Sequence, residues 1–271
     1  MESGLSSTVQ KWRSRIDSEL VELAGRAGQR SEVLQSALSY VLGGGGKRLR
    51  GLLTVALCSD LAKDRNPERA FSSARAIESL HAASLVHDDL PALDNDDMRR
   101  GKPSCHKAFN EATAILVGDT LVGVALDEVL SDEALSTDSR ARIARVVASV
   151  WRDLCVGQQL DISLNASSAA GCSRDEMIRL KTGALFGASV ACGALAAGVF
   201  DARVEEFYTW GVRVGECFQA LDDLDDGDRA EAERGQIVAE CQKVLSDLER
   251  CCGVSSSALS AHVARLVLKP V

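Results

Sequence analysis

The chain reads as an all-α protein, a single-domain helical bundle over residues 1–271, and three observations carry that reading. Apolar residues make up 46% of the chain, with Ala and Leu abundant, which supplies a sizeable core and favours helix over strand. Proline occurs only 4 times and aromatics amount to 4%, so helix breakers and the bulky residues that strands favour are both scarce. No convincing strand alternation stands out, and no linker divides the sequence.

The elements follow in order. Residues 9–40 are helical in pattern, with Trp12, Ile16, Leu20, Leu23 and Ala24 on one face. Gly43-Gly44-Gly45-Gly46 must form a loop, which passes through Lys47-Arg48-Leu49-Arg50 into an apolar helix over 52–61. A glycine loop feeding a helix start offers free backbone N–H groups to an anion, and with cations attached a diphosphate site is a better reading than a hinge. Residues 66–87 form the next helix, with Asn66 as N-cap and Pro67 in the first helical position. Apolar-periodic segments over 108–130 and 140–164 follow, joined by the polar stretch 131–139. Residues 182–200 carry no charge, yet their Ala and Gly content, with Ser189 and Cys192, marks a core helix rather than a membrane span. A further helix runs from 237 to about 252, and a short final helix follows the serine-rich break at 255–257.

Two acidic clusters interrupt this pattern. Asp88, Asp89, Asp94, Asp96 and Asp97 follow the apolar run 82–86, Pro91 breaks the helical geometry among them, and Arg99 and Arg100 come directly after. Carboxylates gathered at a helix end repel unless a cation sits between them, and Mg²⁺ takes oxygen ligands and keeps a phosphate in its shell. The arginine fork matches the oxygens of that same phosphate, so the segment reads as a Mg²⁺-diphosphate clamp rather than a solvated acidic loop. Downstream, Asp222 and Asp226 (i, i+4) and Asp223 and Asp226 (i, i+3) share a helix face, with Asp225 and Asp228 adding repulsion. Gln158 and Asp161 are polar residues on an otherwise apolar helix, and Lys181-Thr182 stands at the mouth of the uncharged one. His81, six residues before His87, matters only if the acids after it define a pocket.

Composition excludes several classes. The net charge of −8 and pI near 5.1 argue against a nucleic-acid binder, while the two small basic spots suit a small anion. The 9 cysteines are odd in number, form no C-x-x-C and lie partly in apolar helices, as expected of reduced thiols in a cytosol-like compartment. Adjacent Cys251 and Cys252 rarely pair with each other. The first residues have no apolar core of the kind a signal peptide needs, so the expected location is cytoplasmic, or a plastid if a transit peptide has been removed. There is no G-x-G-x-x-G after a strand, no Walker loop, no Cys/His zinc spacing and no G-x-S-x-G.

An ordered series of segments resembles the trans-isoprenyl diphosphate synthases, and within them the short-chain geranylgeranyl/farnesyl type. It comprises Gly45-Gly46-Lys47-Arg48-Leu49-Arg50, then His81 through His87 to Asp88-Asp89 and Asp94, and Arg99-Arg100-Gly101-Lys102-Pro103. Gly118-Asp119, Gly157-Gln158 with Asp161, Lys181-Thr182-Gly183-Ala184-Leu185, and Phe218-Gln219 with Asp222-Asp223 and Asp226 complete it. The resemblance implies a helical bundle around a deep central cavity, usually homodimeric. It also implies a prenyltransferase that joins isopentenyl diphosphate to dimethylallyl, geranyl or farnesyl diphosphate with several Mg²⁺ ions. On these positions, Asp88, Asp89 and Asp94 would hold Mg²⁺ from one side, and Asp222, Asp223 and Asp226 from the other. Arg99, Lys181, Thr182 and Gln219 would hold the allylic diphosphate, and Lys47, Arg50, His81 and Arg100 that of isopentenyl diphosphate. The catalytic set would be Asp88, Asp89, Asp94, Arg99, Lys181, Asp222 and Asp223. Ala83 and Ser84, a little over one turn before Asp88, would floor the cavity, and their small size points to geranylgeranyl diphosphate as product.

The chain departs from the family after Asp226, where a lysine-bearing segment is replaced by Gly227-Asp228-Arg229 and a charged helix, with Arg229 or Arg234 as substitutes. Gly51 stands where the family usually has Pro. Two other readings compete with an active prenyltransferase. A regulatory or impaired subunit of a heteromeric synthase would explain the lost segment. A class I terpene cyclase would share the carboxylates but needs a more aromatic pocket.

Overall fold

The computed structural model describes residues 2–165, 171, 173–227, 229–255 and 258–268; Cys172 and Asp228 lie outside them, as do the side chains of Cys251 and Cys252. Helices α1 (Glu2–Ala27) and α2 (Glu32–Leu42) replace the single helical stretch expected over 9–40. The break has a local cause: Ser31 caps α2 by accepting from the Leu34 N–H, and a Cβ on Gly28 would lie 2.3 Å from the Gln35 backbone. Ile16, Leu20, Leu23 and Ala24 are buried along α1 as the pattern requires, with Trp12 packed beside them.

Helix α3 (Leu49–Leu61) starts earlier than expected, capped by Arg48 in a left-handed conformation. Arg48 is buried against Asp17 (2.7 Å), Glu78 (3.6 Å) and the Leu42 carbonyl (2.7 Å), so it anchors the glycine loop. Glu78 also accepts from the Gly51 N–H at 2.8 Å, which gives Gly51 a reason: proline there would have no hydrogen to donate. The expected helix over 66–87 divides into a 3₁₀ turn (Pro67–Ala70), capped by Asn66, and α4 (Phe71–Asp88).

A two-residue hairpin, β1 (Met98–Arg99) against β2 (Lys102–Pro103), was not foreseen. Arg100 (φ 53°) and Gly101 (φ 75°) form its turn with positive φ at both positions, the arrangement whose twist suits a tight hairpin. The segment expected over 108–130 is α5 (Cys105–Ala108) followed by α6 (Glu111–Leu130), with Asn110 capping α6. Helix α7 (Thr137–Asn165) follows, then α8 (Arg174–Ile178), one π turn (Arg179–Gly183) and α9 (Ala184–Ala196).

Every residue of α9 is buried, and it packs against α3, α4, α7 and α10 (Arg203–Asp225). Small residues allow this approach: a Cβ on Gly193 would lie 2.5 Å from the Thr54 carbonyl. No helix among the described residues is long and apolar enough to cross a membrane. Helices α11 (Arg234–Cys252) and α12 (Leu259–Val267) finish the bundle, and Asp60 caps α12 through the Leu259 and Ser260 N–H groups. The six described cysteines (58, 105, 155, 192, 217 and 241) are unpaired.

Candidate active site

Helix α4 divides the site, because a 3.6-residue period turns neighbouring side chains about 100° apart. One face (Ala82, Leu85, Val86, Asp89) lines a narrow basic cleft with His81, Arg99 and Arg100. The opposite face (Ser84, His87, Asp88) lines a second, wider cleft against α7. The expected central cavity is thus two clefts, with Asp88 and Asp89 turned to different sides.

Asp88 faces the α7 cleft with Asp94 near it, and its pKa is pushed up to about 6, by burial first, with Lys181 opposing and Asp94 and Asp89 adding to it. Asp94 accepts from Gln158 Nε2 (3.3 Å) and lies 3.9 Å from Lys181 Nζ, while Lys181 also bonds Asp161. Asp89 is 2% exposed and bound to Arg99 (Nε at 2.9 Å), so it anchors the hairpin instead of joining Asp88. Arg99 in turn reaches Asp96 at 2.9 Å.

The second cluster repeats this division. Asp222, Asp225 and Asp226 are exposed at the end of α10. The Asp222 carboxyl is raised by partial burial and then by Asp226, Asp223 and Asp225, with Lys47 from the glycine loop opposing. Asp223 is 5% exposed and accepts from Gln219 Nε2 (2.8 Å), Arg174 (3.2 Å) and Arg229 (3.4 Å). Gln219 also accepts from the Thr182 hydroxyl at 2.9 Å. Lys181 and Thr182, adjacent on the π turn, therefore join the two clusters, one serving each. Of the two substitute arginines, Arg229 reaches the buried Asp223 (3.4 Å), whereas Arg234 is held by Glu231 (2.5 Å) and meets the cluster at the exposed Asp225 (3.8 Å).

The basic side is short of anions. Arg50 stacks over the Phe186 ring (4.2 Å), lies 3.5 Å from His81 Nε2, and its buried Nε has no partner; burial pulls its pKa down to about 10. His81 is held well below the usual histidine range by burial and by Arg50, Arg100, Arg48 and Arg99. Arg100 bonds the Gly45 carbonyl, which ties the hairpin to the glycine loop. An orphaned buried guanidinium nitrogen beside a neutral histidine is the setting an anion such as diphosphate would complete.

Among the described residues no three His, Cys, Asp or Glu side chains stand close enough to enclose an ion. The facing groups are all carboxylates, the hard oxygen donors that Mg²⁺ takes one or two at a time, completing its shell with phosphate and water. Asp88, Asp94, Asp222 and Asp226 fit that use. Of the two expected floor residues, Ser84 is on the α7 cleft wall and Ala83 is fully buried behind it. Sequence reasoning missed Arg174, which sits in a polar stretch with no distinguishing pattern, and Trp151, which looks like any core aromatic.

Residues 31–243 match the family model described as polyprenyl synthetase. The chain is 36% identical over 215 residues to the heterodimeric geranylgeranyl pyrophosphate synthase large subunit 1, chloroplastic, of Arabidopsis thaliana, covering 76% of this chain and 57% of that one. Against the farnesyl diphosphate synthase of Haemophilus influenzae, identity is 34% over 265 residues, covering 95% and 88%. The crystal structure of geranyltransferase from Legionella pneumophila superimposes with a TM-score of 0.86 at 33% identity, covering 98% of this chain and 97% of that one. The chain spans 57–59% of the length of the first plant relatives it matches, less than two thirds.

Proposed function

The chain belongs to the polyprenyl synthetase family, and from that premise we propose that it is a Mg²⁺-dependent prenyltransferase. It condenses isopentenyl diphosphate with dimethylallyl, geranyl or farnesyl diphosphate to give a short-chain trans-prenyl diphosphate, with geranylgeranyl diphosphate as main product. One observation carries the reading: the run Asp94–Lys181, Thr182–Gln219–Asp223 joins two carboxylate ends across the π turn.

Asp88, Asp94, Asp222 and Asp226 would hold the metal, with Asp89 and Asp223 kept by arginines as the supports behind them. Bound there, Mg²⁺ neutralises diphosphate charge and makes it a better leaving group. Lys181, Thr182 and Arg99 orient the allylic diphosphate, while Arg50, His81, Arg100 and Lys47 fix the isopentenyl one. The allylic C–O bond breaks with its electron pair leaving on diphosphate, the isopentenyl double bond forms the new C–C bond, and a proton is lost from the adjacent carbon. The apolar cleft wall keeps water from the cationic carbon.

A homodimer is the expected assembly, since α6 exposes Ile115 (45%) and Leu116 (57%) side by side. A heteromer with a related subunit is the second reading, favoured by the likeness to a heterodimeric large subunit. The test incubates the protein with Mg²⁺, isopentenyl diphosphate and each allylic primer, then chromatographs the dephosphorylated alcohols. Geranylgeraniol, abolished by chelation, is the expected outcome; no product with any primer sinks the proposal and turns attention to a partner subunit.

A further inference from the structure

The cleft between α4 and α7 has an ionic end and an apolar one. Asp88 and Gln158, the latter bonded to Asp94, form the first. Leu154 and Trp151 continue the same face of α7, and Trp151 stands seven residues before Gln158, about 10 Å along the axis. Across from them, Ser84 is small, and its hydroxyl is bonded back to the His81 carbonyl at 3.0 Å, so it neither blocks the cleft nor wets it. The indole is the largest side chain on the wall.

Trp151 is also backed by a fixed neighbour. Its ring lies 6.0 Å from that of His87, tilted by 58°. His87 Nε2 lies 3.2 Å from the Ile115 carbonyl and 3.8 Å from Asp119. It fits there only because position 118 is glycine, where a Cβ would fall 2.1 Å from Nε2. The indole has no room to retreat toward α6.

We infer that the indole of Trp151 is the stop against which the growing prenyl tail ends, so that this side chain sets product length. The inference rests on the proposed function and deepens it. A large residue at the end of the cleft makes each added isoprene unit meet a wall, whereas the buried Ala83 never meets the tail.

The experiment compares the parent with Trp151→Ala, Trp151→Leu, Ser84→Phe and Val156→Ala, each with Mg²⁺, isopentenyl diphosphate and dimethylallyl diphosphate, and reads alcohol chain lengths. Trp151→Ala should raise the fraction longer than the parent's main product by about tenfold, the scale on which a few methylenes are discriminated. Trp151→Leu should move the same way by less, and Ser84→Phe should shorten the product. Val156→Ala, on the exposed side of α7 (45%), should leave lengths unchanged. Unchanged lengths in both Trp151 variants would overturn the inference, and the leucine variant carries the test if the alanine one fails to fold. If the parent makes nothing, the proposed function fails separately. Binding then decides the stop: affinity for allylic thiolodiphosphates of ten, fifteen and twenty carbons should level off in the parent and keep rising in Trp151→Leu. The same length dependence in both overturns it.

Discussion

The ends of α4 and α10 are built to one plan in two settings. Each presents a leading Asp to the site (Asp88, Asp222) and buries the following one (Asp89, Asp223) against arginine. At α4 the arginine comes from a hairpin ten residues on, itself tied to the glycine loop through Arg100. At α10 the arginines come from two separate segments, Arg174 at the start of α8 and Arg229 after α10. Asp88 lies in a cleft, half-buried, whereas Asp222 is exposed. The comparison teaches that one carboxylate end is a fixed jaw, charged against its surroundings by burial, and the other an open one whose charge water already screens.

The largest effect that would break this contrast concerns activity. Asp88→Asn should lower kcat/KM by about 10³-fold and Asp222→Asn by about 10²-fold, on the scale known for single electrostatic groups in a site. Equal losses in steady-state assays at saturating Mg²⁺ would mean that burial does not distinguish the two ends. Next comes stability. Arg99→Ala strips the partner from a buried carboxylate and should cost about 2–3 kcal/mol in urea unfolding. Arg229→Ala should cost about 1 kcal/mol or less, because Arg174 still holds Asp223 and the bond lost is long.

A further effect sharpens the contrast through pH. With its pKa raised from 3.8 to about 6, Asp88 binds more proton in the folded than in the unfolded protein between those values. Stability of the ligand-free protein therefore falls as pH rises from about 4 to 6 and is flat above that, on this account. Asp88→Asn removes the fall, so its Tm should exceed the parent's by about 5 °C at pH 7 and by little at pH 4, in scanning calorimetry without metal. A constant difference across that range would mean Asp88 is not strained by burial.

Much of this was legible in the chain because helices announce themselves through period. The buried stripe of α1, the Asn66 cap and the chargeless α9 all follow from which residues recur where. The break at Gly28–Ser31 was missed, because the apolar pattern continues across it and outweighs the sign of a cap residue after a glycine. The hairpin was not, since two residues a side leave no alternation to see. Both acidic pairs stood out, yet which member faces the site depends on helix phase, and neighbours differ by about 100°. The same ambiguity separates Ala83 from Ser84. The arginines on Asp223 are farther out of reach, because Arg174 meets it only through folding.

The π turn at Arg179–Gly183 has a further consequence. It holds one residue more than an α turn, so the helices before and after it keep independent phases. Deleting a single residue there would merge them into one unbroken helix and swing Lys181 and Thr182 round by about 100° relative to the buried stripe that follows. The bundle would keep its core and lose the bridge between its two acidic ends. A one-codon indel could thus separate a scaffold from a catalyst while leaving nearly every other position in the chain as it was.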